Sequence, residues 1–311
     1  MKSTKTILFV CLSIAPLHFA ASQSMNPVVR KQVSVGPILQ HADGGRTAFP
    51  PRSNTNASRG AALLAAQDAA VRGDTIVVGA GVYDIQSTLG KHLVDWYFYP
   101  GAVVTSSVVN IWGDGGEDLT YTVKGHGVFN HTGIATNNEN LGRFTGASNI
   151  CIEFHEGASH FGRAFTTFNS GLNLKLRWTG TVCTKDGGID NVGGTITIHG
   201  HRLSSEGLTL ESDGDLTIAY IDELVSLTTT PVELVFGEIR VFNATIRALH
   251  PGKAVAQNSS EGLPDGIFLH NCILDTNMEF PFFGTVHVSN VSRLDGLKTL
   301  GNDVVFLDIN E

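Results

Sequence analysis

The chain has 311 residues, of which 42% are hydrophobic and 16% are charged, and its formal net charge is −8. This composition indicates a folded protein with a sizeable core and excludes a disordered chain or a coiled coil. The net negative charge and the absence of a lysine- and arginine-rich run argue against nucleic acid as a partner.

The first 22 residues have the pattern of an export signal. Lys2 and Lys5 precede an apolar run at residues 7–19, and small residues follow at 20–22. No other apolar run approaches the roughly 18 residues that a membrane span needs. We therefore expect a secreted, periplasmic or cell-surface protein from which residues 1–22 are removed and which has no membrane span.

One helix is predicted near the N-terminus. Residues 23–57 are polar and contain proline and asparagine, which predicts an irregular lead-in. Residues 58–72 then have an amphipathic pattern, with Ser58 as the expected N-cap and Gly73 as the residue that ends the helix. No second convincing helix follows.

The rest of the chain, to residue 311, is predicted to consist of short strands. One apolar residue per strand can be aligned, and most intervals between these residues lie near 22 positions. The aligned residues are Ile76, Phe98, Val123, Ile152, Leu174, Ile196, Ile218, Ile239, Ile267, Val286 and Val304. Such a period without a helix in each repeat predicts an all-β parallel solenoid over residues 58–311, with about eleven coils. The amphipathic helix would cover the open strand edges at one end.

Three phrases resemble a known superfamily. The helix followed by GDTIVV (residues 73–78), AGVYDI (80–85) and GHGVF (125–129) resembles the opening of pectate-lyase-like proteins. The resemblance is carried mainly by residues 57–130. It implies a single-stranded right-handed parallel β-helix with an N-terminal capping helix, an exported protein and a role with carbohydrates. It implies no single activity, because the superfamily includes lyases, hydrolases, esterases, epimerases and non-catalytic adhesins.

Strand alternation predicts a polar column on three successive coils. If Ile152, Leu174 and Ile196 point inward, their polar neighbours point outward and stack about 4.8 Å apart. These neighbours are Glu153, His155, Lys175, Arg177, Thr197 and His199. The alternative is a solvated sheet face with favourable cross-strand charge pairs.

The column would suit an anionic polysaccharide that contains uronic acid. A cation would neutralise the carboxylate while a basic group takes the proton α to it, as β-elimination requires. We therefore predict catalytic roles for Lys175, Arg177, His199 and His155. Glu153 and Thr197 are predicted to bind the substrate.

Three aspartates are secondary candidates for hydrolysis. Asp186 and Asp190 lie close together in TKDGGIDN, and Asp265 lies in LPDGIFLHNCIL, which resembles the start of the polygalacturonase pattern. The paired aspartates and the Arg-x-Lys motif of that pattern do not follow. Inverting hydrolysis needs two carboxyl groups about 6.5–9.5 Å apart. A lyase is therefore favoured over a hydrolase, and turn formation is the other interpretation of these residues.

No cofactor is assigned with certainty. Clustered carboxylates at residues 113–121 and 212–216 make calcium the metal to consider, although a polar turn is the preferred interpretation of both segments. Two functions remain open: an enzyme acting on an anionic polysaccharide, and a non-catalytic glycan-binding or structural adhesin module. Long insertions, which commonly build the walls of catalytic grooves, are scarce between residues 170 and 311, and this favours the second function.

Overall fold

The computed structural model describes residues 36–107, 110–133, 139–249, 255–257, 266–274, 286–289 and 304–306. These residues form one helix, α1 (Asn56–Ala69), and 22 strands. The first eleven strands are β1 (Ile38–Gln40), β2 (Arg46–Ala48), β3 (Thr75–Val78), β4 (Gly81–Asp84), β5 (Asp95–Phe98), β6 (Ala102–Ser106), β7 (Trp112–Gly113), β8 (Thr120–Gly125), β9 (Val128–His131), β10 (Asn140–Phe144) and β11 (Asn149–Phe154).

The remaining strands include the longest in the chain. They are β12 (Ala158–Thr167), β13 (Asn173–Asn191), β14 (Thr195–Ser205), β15 (Leu208–Ser226), β16 (Val232–Phe242), β17 (Thr245–Ala248), β18 (Val255–Gln257), β19 (Gly266–His270), β20 (Ile273–Leu274), β21 (Val286–Ser289) and β22 (Val304–Phe306). From β3 onward, every pairing between these strands is parallel. The predicted all-β solenoid is therefore confirmed, with about eight turns.

The coils build three parallel sheets. The first sheet contains β3, β5, β8, β11, parts of β13 to β16, β19, β21 and β22. The second runs from β4 through β6 and β9 to β17 and β20, and the third from β7 through β10 to β18. The long strands bend from one sheet into the next, so that β13 contributes to all three. The prediction of about eleven coils is wrong, since the solenoid has about eight turns.

The coil period agrees with the sequence pattern except at two of the aligned residues. At the first, Phe98, the alignment is off by two positions, because Trp96 is the residue in register with Ile76 and Val123. Leu174, Ile196, Thr217 and Ile239 stack in register on successive coils, at intervals of 22, 21 and 22 residues. The expected inward residue of the third of these coils, Ile218, instead lies half-buried on the outer face. Thr217 points inward because its hydroxyl is hydrogen bonded to the buried Asn191 side chain, at 2.9 Å.

Helix α1 begins and ends earlier than predicted, since it covers Asn56–Ala69 and its C-cap is Ala70 rather than a residue next to Gly73. Its N-cap is Thr55, whose hydroxyl accepts a hydrogen bond from the backbone N–H of Ser58 at 3.2 Å. Threonine is a good N-cap, so the helix includes the residue expected to precede it. The helix packs on β3 and β4 through a buried face that includes Leu63 and Ala66. Its role in closing the end of the solenoid stays a prediction.

Part of the segment predicted to be irregular forms a small hairpin. Strands β1 and β2 pair antiparallel, and β1 also pairs antiparallel with β3. Leu39 of β1 is buried beside Ile76 of β3, which anchors the hairpin to the first coil. The hairpin therefore extends the first sheet by two strands.

Aromatic side chains fill the interior of the first coils. Phe98, Phe129, Phe154 and Trp178 form a continuous inner aromatic column, with ring centroids 5.5, 5.5 and 6.2 Å apart along the series. All four are at most 2% exposed. The column ends at Trp178. Its partner on the next coil is Gly200, where a Cβ atom would lie 2.4 Å from the indole ring, so no larger side chain fits there.

Two motifs considered in the sequence have structural roles in the fold. Gly125 of the GHG phrase has a φ of +109°, and a Cβ there would lie 2.1 Å from the carbonyl oxygen of Phe98. Asp114 in the acidic segment 113–121 is buried. Its carboxylate accepts backbone hydrogen bonds from Gly116, Thr145 and Gly146 at 2.8–3.0 Å. This carboxylate is thus used to hold a turn together.

Candidate functional groove

The strand register aligns a row of side chains on the outer face of the first sheet. We call this the outer row. It consists of Glu153, Arg177, His199, Tyr220, Phe242 and His270, each paired in register with the next. The structure therefore brings together three of the residues singled out in the sequence: Glu153, Arg177 and His199. It also extends the row over three further coils.

Lys175 and Thr197 lie on the same face but in the neighbouring row. They pair with each other in register, two positions before Arg177 and His199 on their strands. Lys175 is exposed and Thr197 is half-buried. Their predicted roles stay predictions.

His155 contacts a residue that does not belong to the outer row. It is exposed, and its ring centroid is 4.8 Å from that of His126. The Nδ1 atom of His126 is in turn 3.8 Å from Glu156 Oε1. His155 is not among the residues that line the groove described below, so the six predicted column residues do not form one compact group.

The three aspartates lie apart from the outer row or outside the described residues. Asp190 is on the third sheet, where it is buried and forms an ion pair with Arg163. Asp186 is half-buried at the entry to the same sheet. Asp265 lies outside the described residues. The aspartate pair is therefore on a different sheet from the outer row, because β13 bends between the two.

A groove runs along the corner at which the first sheet turns into the second. Its volume is about 440 Å³, and it crosses four successive coils. It is lined by Arg177, Trp178, Thr179, His199, Gly200, His201, Tyr220, Ile221, Asp222, Phe242 and Asn243. Two of the predicted site residues, Arg177 and His199, are thus in its lining.

A histidine–aspartate pair faces this groove. The Nδ1 atom of His201 lies 2.9 Å from Oδ2 of Asp222 on the next coil, and both side chains are more than half exposed. An adjacent carboxylate orients an imidazole and leaves its other ring nitrogen to exchange protons with a ligand. The sequence reasoning missed both residues. The phrase HGH at residues 199–201 was the available signal, since alternation places its two histidines on the same side.

The aromatic members of the outer row stack on one another. The rings of His199 and Tyr220 are 4.7 Å apart with an interplanar angle of 7°, and those of Tyr220 and Phe242 are 4.8 Å apart at 14°. The facing surfaces of these rings are therefore covered by their neighbours. The ring edges and the Tyr220 hydroxyl remain accessible to a ligand.

Arg177 supplies positive charge beside His199, at one end of the stack. Its Nη1 atom lies 3.7 Å from Oε1 of Glu153, and its side chain is 64% exposed. An exposed ion pair of this length contributes at most about 1 kcal/mol, so an anionic ligand can compete for the guanidinium. Together, Arg177, His199, His201 and Tyr220 provide an anion contact, two imidazoles and a hydroxyl.

No group of three or more histidine, cysteine, aspartate or glutamate side chains suited to holding a metal ion occurs among the residues that the structure describes.

Searches against protein-family models, curated proteins and solved structures found no match to this chain. Within the described ranges, no helix is both long and apolar enough to cross a membrane.

Proposed function

We propose that the protein binds an anionic polysaccharide along the corner groove. The observation that carries this proposal is that the groove crosses four coils and combines Arg177 with His199 and His201. A groove of this extent suits a polymer better than a small molecule. A guanidinium is the side chain that best matches a carboxylate, because it can donate two parallel hydrogen bonds.

The same groups would support β-elimination on a uronic acid. Arg177 would neutralise the carboxylate, which acidifies the proton on the adjacent ring carbon. His201, oriented by Asp222, would take that proton. The electrons of the broken C–H bond would form a carbon–carbon double bond, and the bond to the glycosidic oxygen would break. The Tyr220 hydroxyl would protonate the departing oxygen.

The proposal includes an exported protein with a right-handed β-helix of the pectate-lyase-like kind, closed at one end by α1. The helix supports this view because it packs on β3 and β4, which belong to the first coil. Phrases that resemble the superfamily lie in the same part of the chain.

A non-catalytic glycan-binding or adhesin module is the second candidate. It is favoured by the outer row itself, whose ring faces cover one another, so that fewer of them are open to sugar rings. The exposure of both His201 and Asp222 also favours binding without chemistry, because water weakens electrostatic catalysis in an open site.

Activity and binding assays separate the two candidates. The mature protein is incubated with pectate, alginate and hyaluronan, and unsaturated uronides are followed by their ultraviolet absorbance. A lyase forms this product, and His201→Ala lowers the rate by about 10²–10⁴. Arg177→Gln weakens binding of the active polymer by about tenfold or more. The control is Arg72→Gln, since Arg72 is exposed and is not in the groove lining.

Two results would change the conclusion. Binding that depends on Arg177, with no product on any of the polymers, establishes the non-catalytic module. Equal binding by Arg177→Gln and Arg72→Gln rules out the groove as the glycan site.

A further inference from the structure

A hydroxyl, an imidazole and a buried carboxylate lie in series at the N-terminal hairpin. The Nε2 atom of His41 is 2.9 Å from the hydroxyl oxygen of Thr47, and its Nδ1 atom is 3.3 Å from Oδ2 of Asp74. Thr47 is exposed, the His41 side chain is 32% exposed, and the Asp74 side chain is 1% exposed. This group lies on different elements from the corner groove.

The fold brings these residues together from distant positions. Thr47 is on β2, His41 follows β1, and Asp74 precedes β3. Because β1 pairs with both β2 and β3, the hairpin places the threonine and the histidine beside the start of the first coil.

Asp74 is held as an ionised acceptor. Burial by itself would raise the pKa of Asp74, but hydrogen bonds from the backbone N–H groups of Val71 and Ala42 and from His41 lower this pKa below its ordinary value of 3.8. An ionised carboxylate only accepts hydrogen bonds. The contact therefore places the His41 proton on Nδ1 and leaves Nε2 to accept the Thr47 hydroxyl proton.

We propose that Thr47, His41 and Asp74 form a nucleophile, a general base and an orienting carboxylate that cleave short-chain carboxylic esters. A nucleophile within hydrogen-bond reach of a base that a third group orients is the arrangement that activates a hydroxyl for attack on an acyl carbon. The exposed hydroxyl makes the group accessible to an ester from solution. A threonine can serve as such a nucleophile.

The reaction would proceed in two balanced steps. The Thr47 oxygen attacks the ester carbonyl carbon while His41 Nε2 takes the hydroxyl proton. The tetrahedral intermediate then collapses, the bond to the alcohol oxygen breaks, and the leaving alcohol takes the proton from His41. In the second step, His41 Nε2 takes a proton from water, and the water oxygen attacks the acyl carbon. The bond between that carbon and the Thr47 oxygen then breaks, the Thr47 oxygen takes the proton back from His41, and the carboxylic acid is released.

Donors for the oxyanion are available at the edge of β2. Among the described strands, β2 pairs only with β1. In an antiparallel pair, alternate residues direct their N–H groups away from the partner strand. The backbone N–H of Phe49 faces β1, because it donates to the carbonyl oxygen of Pro37, and the N–H of Thr47 faces the same way. The N–H groups of Arg46 and Ala48, which flank Thr47, therefore point away from β1.

The test uses the full chain and p-nitrophenyl acetate as the ester. Thr47→Val and His41→Ala are each expected to lower the hydrolysis rate by about 10² or more. Thr47→Ser retains it, because serine keeps the hydroxyl. His92→Ala is the matched control, since His92 is an exposed histidine that accepts a hydrogen bond from the backbone of Thr120. This control also reports the background from ordinary imidazole groups.

Two further readouts exclude a purely structural role. A fluorophosphonate probe is expected to label Thr47, as located by peptide mass spectrometry, and the label is expected to disappear in His41→Ala. In Thr47→Cys, iodoacetamide alkylation is expected to be at least about tenfold faster than in Thr47→Cys/His41→Ala, because the imidazole favours the thiolate. Failure of both readouts in folded protein, or equal ester hydrolysis by Thr47→Val and His92→Ala, would overturn the proposal.

Discussion

Two stacks of aromatic side chains run along this solenoid, one inside it and one outside. The inner aromatic column, from Phe98 to Trp178, is buried, whereas the outer row from His199 to Phe242 lies on the surface over the later coils. Parallel in-register strands produce the outer row, because each coil repeats the side-chain directions of the coil before it. The inner column forms differently, because Phe129 comes from β9 of the second sheet and packs between Phe98 and Phe154 of the first. Burial makes the first stack a source of stability, and exposure makes the second a surface for recognition.

Truncation within the inner column is expected to have the largest effect. Phe154→Ala removes a ring that contacts both Phe129 and Trp178, and it should lower the free energy of unfolding by about 3–5 kcal/mol. Denaturant unfolding followed by circular dichroism measures this loss. A loss below 1 kcal/mol would show that the column does not carry the stability assigned to it.

Adding a methyl group at the end of the inner column should have a smaller effect. Gly200→Ala places a Cβ atom 2.4 Å from the Trp178 ring, so the indole must shift. Overpacking of this kind costs about 1–3 kcal/mol. The same unfolding experiment tests it, with tryptophan fluorescence as a local probe. Unchanged stability and fluorescence would contradict the tight contact.

Truncation within the outer row should have little effect on stability. Tyr220→Ala removes stacking against His199 and Phe242, which is worth about 0.2–1 kcal/mol for a cross-strand pair. The expected loss is in polysaccharide binding, measured by titration calorimetry. A stability loss as large as that of Phe154→Ala would remove the contrast between the two stacks.

A carboxyl on the third sheet gives the smallest expected effect, and it depends on pH. Burial, followed by the charges of Glu233 and Asp213, raises the pKa of Glu211 above 4.5, although Arg163 opposes the shift. Well below pH 4.5 the group is protonated in the folded and the unfolded protein. As the pH rises, the unfolded state ionises more readily, so stability is lost.

Glu211→Gln should therefore raise the melting temperature at neutral pH and leave it unchanged well below pH 4.5. Calorimetry at the two pH values checks this, and Glu206→Gln at an exposed turn is the control. An equal effect of Glu211→Gln at both pH values would show that ionisation is not its cause.

The solenoid could be predicted from the sequence because its cause is local and repeated. Inward apolar residues near every 22 positions fix both the strands and their stacking, which is why Arg177 and His199 could be placed beside each other. The prediction failed by one residue at Ile218, where a threonine satisfied by Asn191 replaces the expected apolar residue in the interior. This shift also explains why Tyr220 was missed, since it follows His199 by 21 positions rather than 22.

Two sets of contacts outside the groove could not be predicted from a repeat. The ion pair of Asp190 with Arg163 depends on how β13 bends into the third sheet. The contacts of His41 with Thr47 and Asp74 depend on an antiparallel hairpin that lies outside the repeat. In both cases the partners are set by the path of the chain, which strand alternation does not determine.

A crystal structure of the mature protein with a short uronic-acid oligosaccharide tests the central claim most directly. We predict density along the corner groove, with a sugar carboxylate on the Arg177 guanidinium and the chain passing His199, His201 and Tyr220. An oligosaccharide bound on another face, or a groove left empty at a concentration that saturates binding in solution, would contradict the assignment of the groove as the functional surface.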